Sequence, residues 1–342
     1  IMIKISSFGK FLDQPLLTSK FDKKVPAILT LGSSAYVLHE LKNTPPEDRK
    51  KSGLKSAIIL GITILSAVQA PKIASFITKR DTQKSFTQIV KNNTKIVDTI
   101  LKQNKYSENI THILNKAKNK ILSIKEIETL NNNLDKNTFN KLIPPPENIT
   151  SKDIFKEIGW LSIFGAIPVI GGIAGGIAAD MTTEKFWKQG VPDKIKEGVY
   201  QYLANIFMCN IGAGAALGLL EKMNIKSKAA RCIGMISGII LTGVVGGSAA
   251  ANYISNKFIN PVLSKNCKTE NRKPELLDLG LHTDDIATVS LLSGLKWIEP
   301  SLPILYSISG YRAGIGYRND SKHNHKHHTY KNTKAHFLYN KC

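Results

Sequence analysis

Acidic side chains are scarce in this sequence. Asp and Glu number 26 against 47 Lys and Arg, so the 342 residues carry a formal net charge of +21. Charge of this sign and size goes with nucleic acid, an anionic membrane surface or a basic tail. An AT-rich coding bias toward Lys, Asn and Ile accounts for part of it. Cysteine is scarce too. Cys209, Cys232, Cys267 and Cys342 lie far apart with no CxxC pair, which excludes a disulfide framework. Cys209 and Cys232 fall inside apolar blocks, as packed thiols do. Catalytic signatures are missing: no Walker A, HExxH or GxSxG occurs, so neither an enzyme nor a cofactor is expected. The stretch Gly212–Gly218 has the look of a dinucleotide glycine loop, but a helical pattern precedes it, where that loop needs a strand. The first 24 residues hold no compact apolar core of a secretory signal.

What is present is a set of glycine-rich apolar blocks separated by Lys-rich polar stretches. The overall hydrophobic share of 42% conceals them. Six segments approach the ~20 apolar residues that span a bilayer: 25–41, 56–77, 158–179, 200–220, 232–254 and 285–316, the last interrupted by Pro300 and Pro303. The expected fold is therefore all-α, a polytopic membrane bundle of about six glycine-rich spans. Its expected organisation is an N-terminal amphipathic segment (1–24), a membrane hairpin (25–77), a polar basic helical insert (78–157), a membrane bundle (158–317) and a His/Lys-rich tail (318–342). Gly171 and Gly175, Gly172 and Gly176, Gly214 and Gly218, Gly243 and Gly247 are each four residues apart. That spacing places both glycines of a pair on one helix face, where two backbones can approach closely. In the insert, Ile89, Val90, Val97, Ile100 and Leu101 follow helical spacing, as do Ile110, Ile113, Leu114 and Ile121. Ser123 with Glu126 reads as a capping box, and Pro144–Pro146 ends the run. Asn92, Asn109 and Asn148 open N-x-T sequons, which are expected by chance in so Asn-rich a stretch.

The blocks also resemble one another. Gly32 matches Gly212, and Ala35 matches Ala215. Pro168, Gly175 and Ala178 match Pro303, Gly310 and Ala313 at a common offset of 135 positions. Three spans per half would make the halves inverted in the membrane, an architecture of secondary transporters. A rival alignment pairs Gly176–Trp187 with Ser248–Ile259, so part of the resemblance is Gly/Ala composition. Every connection is basic, and the positive-inside rule favours a cytoplasmic N-terminus by only a small margin.

An ionisable or polar group within a span is a functional candidate. Glu299, beside the proline-interrupted stretch, is the sharpest. With Pro168, Pro303, Asp180, Asn210 and Asn252 it forms the candidate transport path, and the sequence predicts that Glu299 meets the two prolines at one membrane depth. Against this, Glu299 can lie in a hydrated turn, and Asp180 and Lys72 can snorkel to the interface. Asn205, Asn210 and Asn252 suit hydrogen bonding between helices. In the tail, His323, His325, His327 and His328 are weak metal ligands without the spacing of a closed zinc site. Two functions follow. The first is an integral membrane protein that transports a small solute or ion. The second is a non-enzymatic membrane scaffold whose basic insert and tail bind anionic lipid, nucleic acid or a protein. Expected partners are membrane lipid, anionic head groups through the insert, and a second copy of the chain; nucleic acid is disfavoured.

Overall fold

A computed structural model describes residues 10–12, 14–80, 85–103, 105–143, 150–225, 227–263, 271–275 and 296–316. All regular structure among them is helical. The helices are α1 (Pro15–Asn43), α2 (Arg49–Thr78), α3 (Phe86–Gln103), α4 (Glu108–Ala117), α5 (Ile124–Asn133), α6 (Lys136–Leu142), α7 (Ser151–Thr183), α8 (Trp187–Lys222), α9 (Ile233–Leu263) and α10 (Leu302–Ile315). The chain divides into two compact units. One holds residues 1–25, 81–149 and 287–301; the other holds 26–80, 150–286 and 302–342.

The first unit is built on α3–α6. Apolar residues recurring at three- and four-residue intervals give α3 and α4 one greasy face each. These faces close on a core of Val97, Ile100, Ile113, Leu114, Ile127, Leu130, Phe139 and Leu142. Ser123 and Glu126 form a reciprocal capping box at the start of α5, and Asp135 caps α6 by accepting from the Thr138 amide at 2.9 Å. The Gln14 carboxamide pairs with both backbone groups of Leu122, at 2.8 and 2.9 Å. This ties the entry to α1 onto the α4–α5 connection.

The second unit is a bundle whose outward face is apolar. Leu65, Phe76, Ile170, Leu219, Leu241 and Val245 are each more than 60% exposed. Four helices are long and apolar enough to cross a membrane: α2, α7, α8 and α9. Six segments are expected from the sequence; four qualify among the described residues. The part of α1 from Pro26 onward carries the segment 25–41, and α10 is only 14 residues long. Residues 285–295 of the sixth segment lie outside the described residues, as do Cys267, Cys342, Asn148, Pro144–Pro146 and the whole tail with His323, His325, His327 and His328.

Helix α7 stands between two partners, and adjacent glycine pairs face each. A methyl group at Gly171 would strike the Ser66 hydroxyl of α2, and one at Gly175 would lie 3.2 Å from the Ile59 backbone. On the neighbouring face, a methyl at Gly172 or Gly176 would collide with the carbonyl of Gly310 or Gly314 in α10. Gly243 and Gly247 of α9 lie against Ala204 and Cys209 of α8, while Gly212 of α8 faces Gly238. Gly214 is buried, and Gly218 has only Ser151 nearby, at 3.6 Å.

Of the two prolines, Pro303 departs from expectation. Pro168 lies buried within α7, which continues through it without interruption. Pro303 is the second residue of α10. A proline in the first turn loses no intrahelical hydrogen bond, so Pro303 starts a helix where the sequence suggested a break.

Candidate functional site

Helix α8 begins well before the apolar stretch expected at Tyr200. Its first turns, from Val191, carry Lys194, Lys196, Glu197, Gln201 and Asn205, and all five side chains lie within the bundle at 3% exposure or less. These residues are hydrophilic by type, yet the helix around them faces inward. An adjoining face of α8 carries Ile195, Gly198, Val199 and Tyr202, which with α7 and Ile254 line an open apolar groove of about 400 Å³. A buried polar row of Lys194, Glu197, Gln201 and Asn205 therefore runs along one side of a helix otherwise suited to span a bilayer, with Lys196 buried on another side.

Glu197, Gln201 and Asn205 are four residues apart and stack as a ladder. Gln201 Nε2 donates to Glu197 Oε1 at 2.8 Å, and Asn205 Nδ2 donates to Gln201 Oε1 at 2.8 Å. A carboxylate only accepts, so Glu197 fixes both amide orientations in turn. Asn205 Oδ1 is then left at the inner end, buried and without a hydrogen-bond partner among the described residues. The turn around it, Leu203–Phe207, is widened to π-helical geometry. Such insertions cluster at functional sites. The Cys209 thiol donates to the Ala204 carbonyl at 2.8 Å.

Charge gathers at the outer end of the row. The Glu197 carboxylate receives Arg272 Nε at 3.3 Å, and Arg312 Nε of α10 stands 4.0 Å away. Glu275 lies 3.8 Å from Arg312. Lys196 is 3.9 Å from Asp193. One turn nearer the start of α8, Lys194 pairs with Asp180 of α7, and Lys55 of α2 reaches the same carboxylate at 2.7 Å. Lys194 passes close to Gly176 and Gly190, where any side chain would obstruct it. Gly316, in the left-handed region at φ +67°, turns the chain beside Lys194 and Asp193.

Asp180 is a buried pair partner, because α7 continues to Thr183 and places its carboxylate against Lys55 of α2 and Lys194 of α8. Asn252 of α9 holds the backbone of Arg272, accepting from its amide and donating to its carbonyl at 2.9 Å each. Asn210 Nδ2 donates to the Ile206 carbonyl at 2.7 Å within its own helix. Pro168 and Pro303 lie in the second unit, where the Pro168 carbonyl touches Gly310. Glu299 belongs to the first unit, half-buried in the short 3-10 turn Lys296–Ser301. Lys194, Lys196, Glu197, Gln201, Arg272 and Arg312 do not stand out in the sequence. Only the four-residue spacing of Glu197, Gln201 and Asn205 is legible there.

No group of three or more His, Cys, Asp or Glu among the described residues is placed to hold a metal ion. Comparison with protein-family profiles, curated proteins and solved structures yields no match to this chain.

Proposed function

We propose that this chain is a multi-pass membrane protein that carries a small solute or ion along the buried polar row of α8. One observation carries the reading: large apolar side chains face outward from the bundle, while Lys196, Glu197, Gln201, Asn205, Arg272 and Arg312 are buried among the apolar ones inside it. Ionised groups within a membrane bundle are costly and mark substrate and ion pathways. The unpartnered Asn205 oxygen and the widened helix turn beside it support a binding position at the inner end of the row. In the same proposal α1 and α10 complete a six-helix bundle of two inverted halves, with the N-terminus on the cytoplasmic side. Exposed Ile28, Leu31 and Leu38 support lipid contact for α1.

The test is flux in proteoliposomes, over a panel of protons, alkali cations, chloride, amino acids and amines. The expected result is flux above protein-free vesicles for at least one solute, reduced at least about tenfold in the double variant Gln201→Leu/Asn205→Leu. Flux at the protein-free level across the panel, or undiminished flux in the double variant, overturns the reading. A second reading, a non-enzymatic scaffold, draws support from the separate core of α3–α6 and its exposed Lys91, Lys95, Lys102, Lys125 and Lys141. There, reversing these lysine charges lowers retention of anionic lipid; under the transport reading flux is untouched.

A further inference from the structure

Residues 271–275 bring a charged side chain of the chain itself to the polar row. They form no regular secondary structure, and Asn271, Lys273 and Pro274 are exposed. Glu275 is half-buried, and Arg272 alone among them is fully inserted, its side chain 0% exposed. Its guanidinium meets the Glu197 carboxylate through Nε at 3.3 Å and lies 4.6 Å from the centre of the Tyr200 ring. The Tyr200 hydroxyl accepts from Ser248 Oγ at 3.1 Å, which fixes the ring. The second Glu197 oxygen is held by Gln201.

A carboxylate beside an aromatic face is the chemistry that recognises a guanidinium or an organic ammonium. As a fastener for a loop it is a poor choice. A buried ion pair contributes little more than well-packed apolar residues would, because desolvation offsets the attraction. Residues 271–275 are held by the inserted Arg272 side chain, the two Asn252 hydrogen bonds, an Asn256–Asn271 bond at 2.7 Å, the Glu275–Arg312 pair and further contacts of Arg272, Lys273 and Glu275. Irregular segments with exposed backbone, such as this one with Asn271, Lys273 and Pro274 exposed, open at lower free energy than the whole fold. Arg312, on the far side of Glu197, continues to balance that carboxylate when Arg272 leaves.

We propose that Glu197 and Tyr200 form a binding site for a small organic cation carrying a guanidinium or primary ammonium group, and that Arg272 fills it as a tethered stand-in. Withdrawal of residues 271–275 opens the site. That the cation is also a transported substrate rests on the transport reading; the binding site does not.

The experiment is equilibrium binding of radiolabelled agmatine to the purified full chain in nanodiscs. The variants are Arg272→Ala, Asn252→Ala and Arg272→Ala/Glu197→Gln, and thermal stability is recorded for each. Arg272→Ala is expected to bind agmatine at least about tenfold more tightly than the wild type. Asn252→Ala keeps Arg272 but loses its backbone clamp, and is expected to show a smaller gain. The double variant is expected to lose binding. If folded Arg272→Ala and Asn252→Ala bind no more agmatine than the wild type, the proposal is overturned; should Arg272→Ala fail to fold, Asn252→Ala decides by the same comparison. Agmatine binding without flux of any solute upholds the cation site and removes the transport reading. Flux without agmatine binding does the reverse.

Discussion

Asp180 takes its two lysine partners from helices other than its own. Lys55 belongs to α2 and Lys194 to α8, so one carboxylate on α7 joins three membrane-type helices. Removing one member of a buried pair leaves an uncompensated charge, at about 3–5 kcal/mol. Asp180→Asn is accordingly expected to lower the thermal unfolding temperature in detergent well below that of the wild type. The double variant Asp180→Leu/Lys194→Leu, which removes both buried charges, is expected to recover most of that loss. Equal destabilisation by both would show that charge pairing is not what holds the three helices. In the first unit, burial pushes the Glu126 carboxylate upward, but hydrogen bonds from Lys116 and Ser123 outweigh it and hold its pKa below the usual value. Asp135 is likewise lowered, by Thr138. Carboxyls with depressed folded values stabilise the fold above their unfolded pKa of about 4 and lose that contribution as pH falls through the folded values. Acid titration of the α3–α6 unit, followed by the Tyr106 environment, is therefore expected to show a loss of stability below about pH 4. Glu126→Gln should flatten it.

Between elements, α7 makes its contacts through absent side chains. Gly172 and Gly176 meet carbonyl oxygens of α10, which cannot rotate away as the tip of a side chain can. Overpacking of this kind costs about 1–3 kcal/mol, so Gly172→Ala and Gly176→Ala are expected to destabilise the chain by that order in thermal or denaturant unfolding. Gly32 and Gly61 have nothing within 4 Å of an added methyl. Alanine there is expected to be neutral or stabilising, since alanine favours a helix by up to about 1 kcal/mol over glycine. A uniform response at all four sites would mean that helix propensity, not close approach, sets the glycine positions. The four-residue glycine spacing was visible in the sequence. Which neighbour each pair meets was not, because that depends on the rotation of α7 against α2 and α10.

At the scale of the whole molecule, helix type and the four helices long and apolar enough to span a membrane were legible because composition and period record them, within an expectation of six. The site was legible only in part. Asp180, Asn210 and Asn252 stand out as polar residues in apolar blocks. Lys194, Lys196 and Glu197 sit in a stretch so hydrophilic that it reads as a connecting loop, and periodicity cannot tell a solvated face from one turned inward. Two of the carboxylates also have partners distant in sequence: Glu197 meets Arg272, and Asp180 meets Lys55. Only the fold brings such charges together, with the outer surface left apolar. That outward apolar face is most directly measured by spin-label accessibility in nanodiscs, with single labels at Leu65, Ile170, Leu241 and Val245. The expected result is high access for oxygen and low access for a water-soluble nickel complex at all four, as for side chains in the acyl region. High nickel access at these positions would place the apolar face in water and contradict a membrane bundle with its polar row inside.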